Sequence, residues 1–381
     1  MSRPYRLACV VAARPNLMKM APLLRAFSPS ETQVETVLVH TGQHYDADMD
    51  AQFFNTLEMT PPDFRLDVGS ASHAVQTAEV MRRFEPVLEH VAPTAVLVVG
   101  DVNSTLGCAL TAAKKNIPVL HVEAGLRSFD RAMPEEVNRV LTDQISELLF
   151  TSEASGTSNL LREGISPHRI HFVGNVMIDT LLRQQGKAPS AAEVLRQANL
   201  AGFVRDGGPY ALLTLHRPSN VDDPQRLRAL MTAMVRLSDD LPVLFPLHPR
   251  TRAMLQRYEL SAMLDAPHIA CLPPLSYLHM LGLMKHACVV LTDSGGVQEE
   301  TTALRVPCLT LRDNTERPIT VSEGSNAIAG RDPAVILALC RDILRYGGKS
   351  GRVPQYWDGR AAERVATATV NWLQSRRERR P

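Results

Sequence analysis

Short apolar runs that stop abruptly at a polar residue recur down this chain, and few folds accept that pattern. Leu7-Ala8-Cys9-Val10-Val11, Ala95-Val96-Leu97-Val98-Val99, Ile117-Pro118-Val119-Leu120-His121-Val122 and Leu148-Leu149-Phe150-Thr151 are four of them, and Glu35-Thr36-Val37-Leu38-Val39 is a β-branched fifth. A strand that is apolar at nearly every position is buried on both faces, as in a parallel sheet covered by helices. Tyr210-Ala211-Leu212-Leu213-Thr214-Leu215, Val243-Leu244-Phe245-Pro246-Leu247, Ile269-Ala270-Cys271-Leu272, Ala287-Cys288-Val289-Val290 and Pro307-Cys308-Leu309-Thr310-Leu311 repeat the pattern in the second half. Helical stretches separate them, so the fold class is α/β, with two doubly wound parallel sheets facing each other across a cleft.

The expected division is residues 1–174 for the first Rossmann-like domain and 175–360 for the second, with a C-terminal helix over 361–381 crossing back to the first. A chain of 381 residues is long enough for two cores. A formal net charge of +1 argues against nucleic acid or a membrane surface as the main partner. The six cysteines are scattered through apolar runs without a CxxC pair, which suits a reducing compartment and neither a disulfide framework nor a zinc site. With no long apolar h-region near the start and no run of membrane-spanning length, the expected place is the cytoplasm.

In open α/β sheets ligands bind beyond the carboxyl ends of the strands, so the residues that follow each run matter most. After the first come Arg14-Pro15-Asn16 and Lys19, where the two cations either meet a ligand or are solvated surface charges. After the second comes Thr41-Gly42-Gln43-His44-Tyr45-Asp46, a plain surface loop or one side of a sugar-nucleotide cleft. Asp101 follows Gly100 and is either a helix N-cap or a functional acid. Glu123 ends the next strand, and Pro134-Glu135-Glu136 opens a helix whose positive end suits two acids. Asp101, Glu123 and Glu135 all fall beyond strand ends of what reads as one sheet, where carboxylates supply general acids and bases.

In the second half, His216-Arg217-Pro218 and His248-Pro249-Arg250 hang from strand ends, and Pro273-Pro274-Leu275-Ser276-Tyr277 forms a stiff loop. The densest stretch is Asp293-Ser294-Gly295-Gly296-Val297-Gln298-Glu299-Glu300. A strand that turns straight into a helix leaves the first N–H groups bare and makes an anion site. Gly295 and Gly296 let a diphosphate approach the backbone, the Ser294 hydroxyl caps the helix or bonds a phosphate, and Glu300 suits a ribose diol.

Taken together and in order, Arg14-Pro15 with Lys19-Met20-Ala21-Pro22, Thr41 to Asp46, Gly100-Asp101, His121-Val122-Glu123-Ala124-Gly125-Leu126-Arg127, Pro134-Glu135-Glu136 with Asn138-Arg139, His216-Arg217, Asp293 to Glu300 and Thr315-Glu316-Arg317-Pro318 resemble the bacterial non-hydrolysing UDP-N-acetylglucosamine 2-epimerases, over nearly the whole chain. The resemblance implies the glycosyltransferase-B-like fold and interconversion of UDP-GlcNAc and UDP-ManNAc. The route is anti elimination of UDP to 2-acetamidoglucal followed by re-addition. It implies catalytic positions at Asp101, Glu123, Glu135 and His216, with Lys19 and Arg139 in support. Arg14, His248, Ser294, Gly295, Gly296, Glu300 and Arg317 are the expected substrate-binding residues. No metal or other cofactor is expected, and the expected assembly is a homodimer. Alternatives are a hydrolysing 2-epimerase releasing ManNAc and UDP, or an epimerase of a related UDP-2-acetamido sugar. The chain departs from the family pattern at Ala12-Ala13, where Gly-Thr is usual, at Asn16, where Glu is frequent, and at Tyr45-Asp46, where members activated by their own substrate carry Arg-Glu.

Overall fold

The computed structural model describes residues 5–28, 32–42, 54–205 and 207–378. Two compact units are present: one joins Met1–Thr180 to Gln355–Pro381, and the other is Leu181–Pro354.

The first unit carries strands β1 (Tyr5–Val11), β2 (Val34–His40), β3 (Phe64–Arg65), β4 (Ala95–Val99), β5 (Val119–Ala124), β6 (Leu148–Thr151) and β7 (Ile170–Phe172). They form one parallel sheet in the order β3-β2-β1-β4-β5-β6-β7. The second unit holds β8 (Ala211–Thr214), β9 (Val243–Pro246), β10 (Ile269–Leu272), β11 (Val289–Thr292), β12 (Cys308–Thr310) and β13 (Asn326–Ile328). These are parallel too, in the order β10-β9-β8-β11-β12-β13. Both sheets are the doubly wound kind expected, and in each the strand order reverses once, between β1 and β4 and between β8 and β11. Such reversal points are where the crossover helices part to opposite faces and leave a crevice.

The apolar runs explain the sheets. Every residue of β4 is buried, as is every residue of β5, and each fully buried Leu, Val or Phe contributes about 1.5–3 kcal/mol relative to exposure. The small residues of the helix Asn103–Lys114 serve a further purpose. A Cβ on Gly107 would lie 2.9 Å from Val80 Cγ1, so this helix packs tightly on its neighbour, His73–Val91, as well as near the sheet. Two strands, β3 and β13, are too short and too polar at their flanks to show in the sequence pattern.

The units divide at 180/181 and 354/355, whereas the sequence suggests 174/175 and 360/361. Side-chain bonds account for the difference. Thr180 Oγ1 donates to the Met18 carbonyl at 2.6 Å. Asp179 accepts from Ala361 N at 3.1 Å and from Ala362 N at 2.7 Å, capping the C-terminal helix Ala361–Glu378. Trp357 Nε1 donates to the Ser152 carbonyl at 3.2 Å. No described helix is long and apolar enough to cross a membrane.

Candidate active site

At the reversal point of the first sheet, β1 and β4 lie side by side with Cys9 opposite Leu97, and the turns that follow them carry the expected residues. Asn16 pins the first turn. Its Oδ1 accepts from Ala13 N at 3.2 Å and its Nδ2 donates to the Val99 carbonyl at 3.0 Å. The second of these bonds needs an amide, which a Glu at this position could not supply. Lys19, one turn further on, is buried and forms an ion pair with the buried Glu123 at the end of β5. Glu123 itself sits at φ +71°, a left-handed conformation that costs an L residue about 1–2 kcal/mol.

Asp101 does not cap the helix after β4. The cap position falls on Val102, and Asp101 Oδ2 instead accepts from Arg139 Nε at 2.9 Å, while Asn138 Nδ2 donates to the Asp101 carbonyl at 2.9 Å. Arg139 and Asn138 lie on the helix Pro134–Ile145, whose first turn holds both Glu135 and Glu136. The two acids diverge. Glu136 is buried, pairs with Arg139 and accepts from the backbone N–H groups of Ser128 and Phe129 at 2.9 and 3.0 Å, so it fixes the preceding loop. Glu135 is half-buried. It lies one helical turn before Arg139, on the same face. The first sheet edge therefore carries two ion pairs, Lys19 with Glu123 and Arg139 with Asp101, and Glu135 lies on the helix that supplies Arg139.

The second sheet repeats the arrangement with different chemistry. Thr214 is in register with Thr292, and their hydroxyls are hydrogen-bonded at 2.6 Å, which sets the turns after β8 and β11 together. Asp293 bridges them. Wholly buried, it accepts from the backbone N–H groups of His216 and Arg217 at 3.0 and 2.9 Å, and its Oδ1 lies 3.0 Å from His216 Nδ1. Burial pushes the Asp293 carboxyl up, but these donors and the imidazole outweigh it and hold the group below its ordinary range. With Nδ1 turned to Asp293, the other nitrogen of His216 is left for a ligand. His248 lies beside it, ring centroids 5.5 Å apart. It caps the helix Pro249–Arg257 by accepting from Arg250 N at 3.2 Å.

Ser294 stands at the N-cap of the helix Gly295–Leu304, yet its hydroxyl makes no capping bond. A Cβ on Gly295 would lie 2.8 Å from Glu316 Oε1, so glycine is required there by the close approach of the β12 loop. Glu316 is the centre of a buried cationic cluster: Arg312 Nη1 lies 2.7 Å away and Arg217 Nη2 3.2 Å away. Burial raises the Glu316 carboxyl, and Arg312, Arg317 and Arg217 together overcome that and bring it down to about 2. Arg317 Nε is 3.0 Å from Glu299 Oε1. Glu300, one position on, is buried, and the buried Tyr277 hydroxyl faces its carboxyl. Burial pushes the Glu300 carboxyl up to about 7, against the pull of the Tyr277 hydroxyl and with a smaller push from Glu299. Ser294, Gly295, Glu300 and Arg317 thus gather at one sheet edge, over bare helix N–H groups. Among the described residues no group of three or more His, Cys, Asp or Glu side chains is placed to hold a metal ion. The Gln43 to Asp46 stretch and the side chain of Arg14 lie outside the described residues.

A family model described as UDP-N-acetylglucosamine 2-epimerase matches residues 28–369. The chain belongs to the UDP-N-acetylglucosamine 2-epimerase family. A UDP-N-acetylglucosamine 2-epimerase of Methanococcus maripaludis is 42% identical, over 90% of this chain and 92% of its own length. The UDP-2,3-diacetamido-2,3-dideoxy-D-glucuronate 2-epimerase of Pseudomonas aeruginosa is 38% identical, over 95% of this chain and 98% of its own. Among solved structures, the Methanocaldococcus jannaschii UDP-GlcNAc 2-epimerase in complex with UDP-GlcNAc and UDP matches with a TM-score of 0.86 and 39% identity, covering 96% of this chain and 99% of that one. The fold is thus the glycosyltransferase-B-like α/β fold of the UDP-N-acetylglucosamine 2-epimerases, whose members are archaeal as well as bacterial. Within this epimerase chain, sequence reasoning passed over Asp143, Asp293 and Glu316 as individual site residues. Asp293 and Glu316 did stand inside the motifs, but nothing local marks either as a hub for residues about 75 to 100 positions away.

Proposed function

We propose that the chain interconverts UDP-GlcNAc and UDP-ManNAc without hydrolysis. The observation that carries this is the division of labour between the two sheet edges: paired acids and cations on one, a bare helix N-terminus with buried arginines on the other. In the forward direction a carboxylate removes the C2 proton while the C1–O bond to UDP breaks, giving 2-acetamidoglucal and UDP. Return of UDP to C1 with protonation of C2 on the opposite face gives the epimer. Asp101, Glu123, Glu135 and His216 are the proton-transfer groups, and Lys19 and Arg139 hold the first two. The departing diphosphate gathers charge, which Arg317, Arg14, His248, the Ser294 hydroxyl and the N–H groups at Gly295 and Gly296 offset. No metal or other cofactor enters this scheme. The same reading has the enzyme act in the cytoplasm as a homodimer, with neither nucleic acid nor membrane as partner. The six free cysteines and the net charge of +1 support the compartment and the absence of polyanionic partners.

Product analysis by NMR tests the reaction. UDP-GlcNAc is expected to equilibrate with UDP-ManNAc and to acquire solvent deuterium at C2, whereas stoichiometric free ManNAc would make the enzyme a hydrolysing one. The relative from Pseudomonas aeruginosa acts, by its name, on a 2,3-diacetamido glucuronate. A panel of UDP-2-acetamido sugars differing at C3 and C6 therefore belongs in the same assay, and no turnover of any of them would reject the class.

The Glu300 carboxyl, raised to about 7, gives a second test. As a carboxylate it accepts from both hydroxyls of the ribose diol; protonated, it loses part of that capacity. Affinity for a UDP-sugar, whose diphosphate has no proton to lose in this range, is expected to rise as pH is taken from about 6 to about 8. In Glu300→Gln it should be weaker and flat. Calorimetric titration reads both, and parallel pH profiles for parent and variant would remove Glu300 from the ribose site.

A further inference from the structure

One buried group ties together the two turns that carry Asp101 and Glu123. His121 lies on β5 two residues before Glu123 and is fully buried. Its Nε2 is 2.8 Å from the Gly100 carbonyl, the peptide that leads into Asp101. Its Nδ1 is 2.7 Å from Asp143 Oδ1. A carbonyl oxygen only accepts, so the Nε2 proton is fixed in place by that partner. Asp143, on the helix Pro134–Ile145, is wholly buried too. Its Oδ2 accepts from Gly125 N at 3.1 Å, in the turn directly after Glu123, and lies 2.7 Å from Arg127 Nη2. Arg127 continues outward to Glu163 at 2.7 Å.

The second turn needs this support most. Gly100, at φ +69°, adopts that conformation freely, but Glu123 is at φ +71°, and a non-glycine residue held there persists only where its surroundings over-determine it. A Cβ on Gly100 would meet Lys19 Nζ at 3.3 Å, so the turn also passes close to the cation that pairs with Glu123. None of the four residues of this chain, His121, Asp143, Arg127 and Glu163, is itself required to meet substrate.

We infer that His121 and Asp143 are positioning residues that lock the turns after β4 and β5 to each other, and so fix the separation of Asp101 and Glu123. This rests on the epimerase reading, in which those two acids exchange protons with the sugar. A carboxylate displaced by ~1 Å from its proton costs on the order of 10²-fold in rate.

Two substitutions divide the two bonds. The amide of His121→Asn falls where Nδ1 lies and reaches Asp143 alone, whereas the amide of His121→Gln falls where Nε2 lies and reaches the Gly100 carbonyl. His121→Asn is expected to lose about 10²-fold in kcat and in C2 solvent-deuterium exchange, with KM and UDP affinity within about twofold of the parent. His121→Gln should recover at least tenfold of that loss. A His121→Asn variant with kcat near the parent overturns the inference, as does a folded His121→Gln no better than His121→Asn. Should His121→Asn fail to fold, Asp143→Asn takes its place, since it weakens the hold on Gly125 and His121 at little change in shape; parental kcat there overturns the inference equally. A parent enzyme that turns over no UDP-2-acetamido sugar overturns the epimerase reading itself, whereas parental turnover with an indifferent His121 overturns this inference alone.

Discussion

Glu135→Gln is expected to cut turnover by about 10²–10⁴-fold while leaving the melting temperature and the affinity for UDP close to those of the parent. Asp101→Asn and Glu123→Gln should lose as much turnover, but with different consequences for stability. Glu123 forms a buried pair with Lys19, and removing one partner of such a pair strands the other at a cost of about 3–5 kcal/mol. Asp101 is partly exposed, and its partner Arg139 keeps a second carboxylate in Glu136, so the stability loss there should be smaller. Glu135, with neither duty, separates chemistry from folding most cleanly. Steady-state kinetics, thermal melts and UDP titration on the three variants check the pattern, and parental turnover in all three would place the chemistry elsewhere.

The second large effect concerns Glu316 and acid. Its carboxyl is about 2 in the folded protein against 4.5 ordinarily. A depressed carboxyl adds stability that is fully present above the ordinary value and disappears as pH falls through the folded one. The stability Glu316 confers should therefore hold at neutral pH and vanish between about pH 4.5 and about pH 2. A shift of that size corresponds to about 3 kcal/mol. Glu316→Gln should be less stable than the parent by roughly that amount near neutrality, and the gap should close on acidification. Urea unfolding of both proteins across this range measures it, and a gap that stays constant with pH would mean that the arginines do not hold the carboxyl down.

How much of this was open to the sequence depends on how local the cause is. Strands buried on both faces announce themselves because nearly every side chain must be apolar, so β1, β4, β5, β8 and β11 are legible in the sequence, though their ends are not. The two-residue β3 and three-residue β13 are held by pairing with neighbours and carry no such pattern. The turn at Ser294-Gly295-Gly296 is legible because a helix start has its own chemistry. What joins Asp101 to Arg139, Lys19 to Glu123, or Arg217 to Glu316 is not, since each pair spans between 38 and 104 positions and is closed only by the sheet order. For the same reason the sequence left Asp101 between helix cap and functional acid. The cap falls on Val102 instead, and Asp101 turns to Arg139 on the helix Pro134–Ile145.

Asp179 reaches across 182 positions to cap the C-terminal helix, and this has a consequence for the order in which the protein is made. A ribosome that has released the chain as far as Pro354 has already delivered all of the second unit. The first unit, although it leads the sequence, still lacks Trp357 for the Ser152 carbonyl and the two N–H groups that Asp179 accepts from. Until residues 357–362 emerge, the Asp179 carboxylate and the Ser152 carbonyl lack the donors that they meet in the finished unit. Domains commonly fold in the order of their synthesis; here the later-made unit is the first that can be complete.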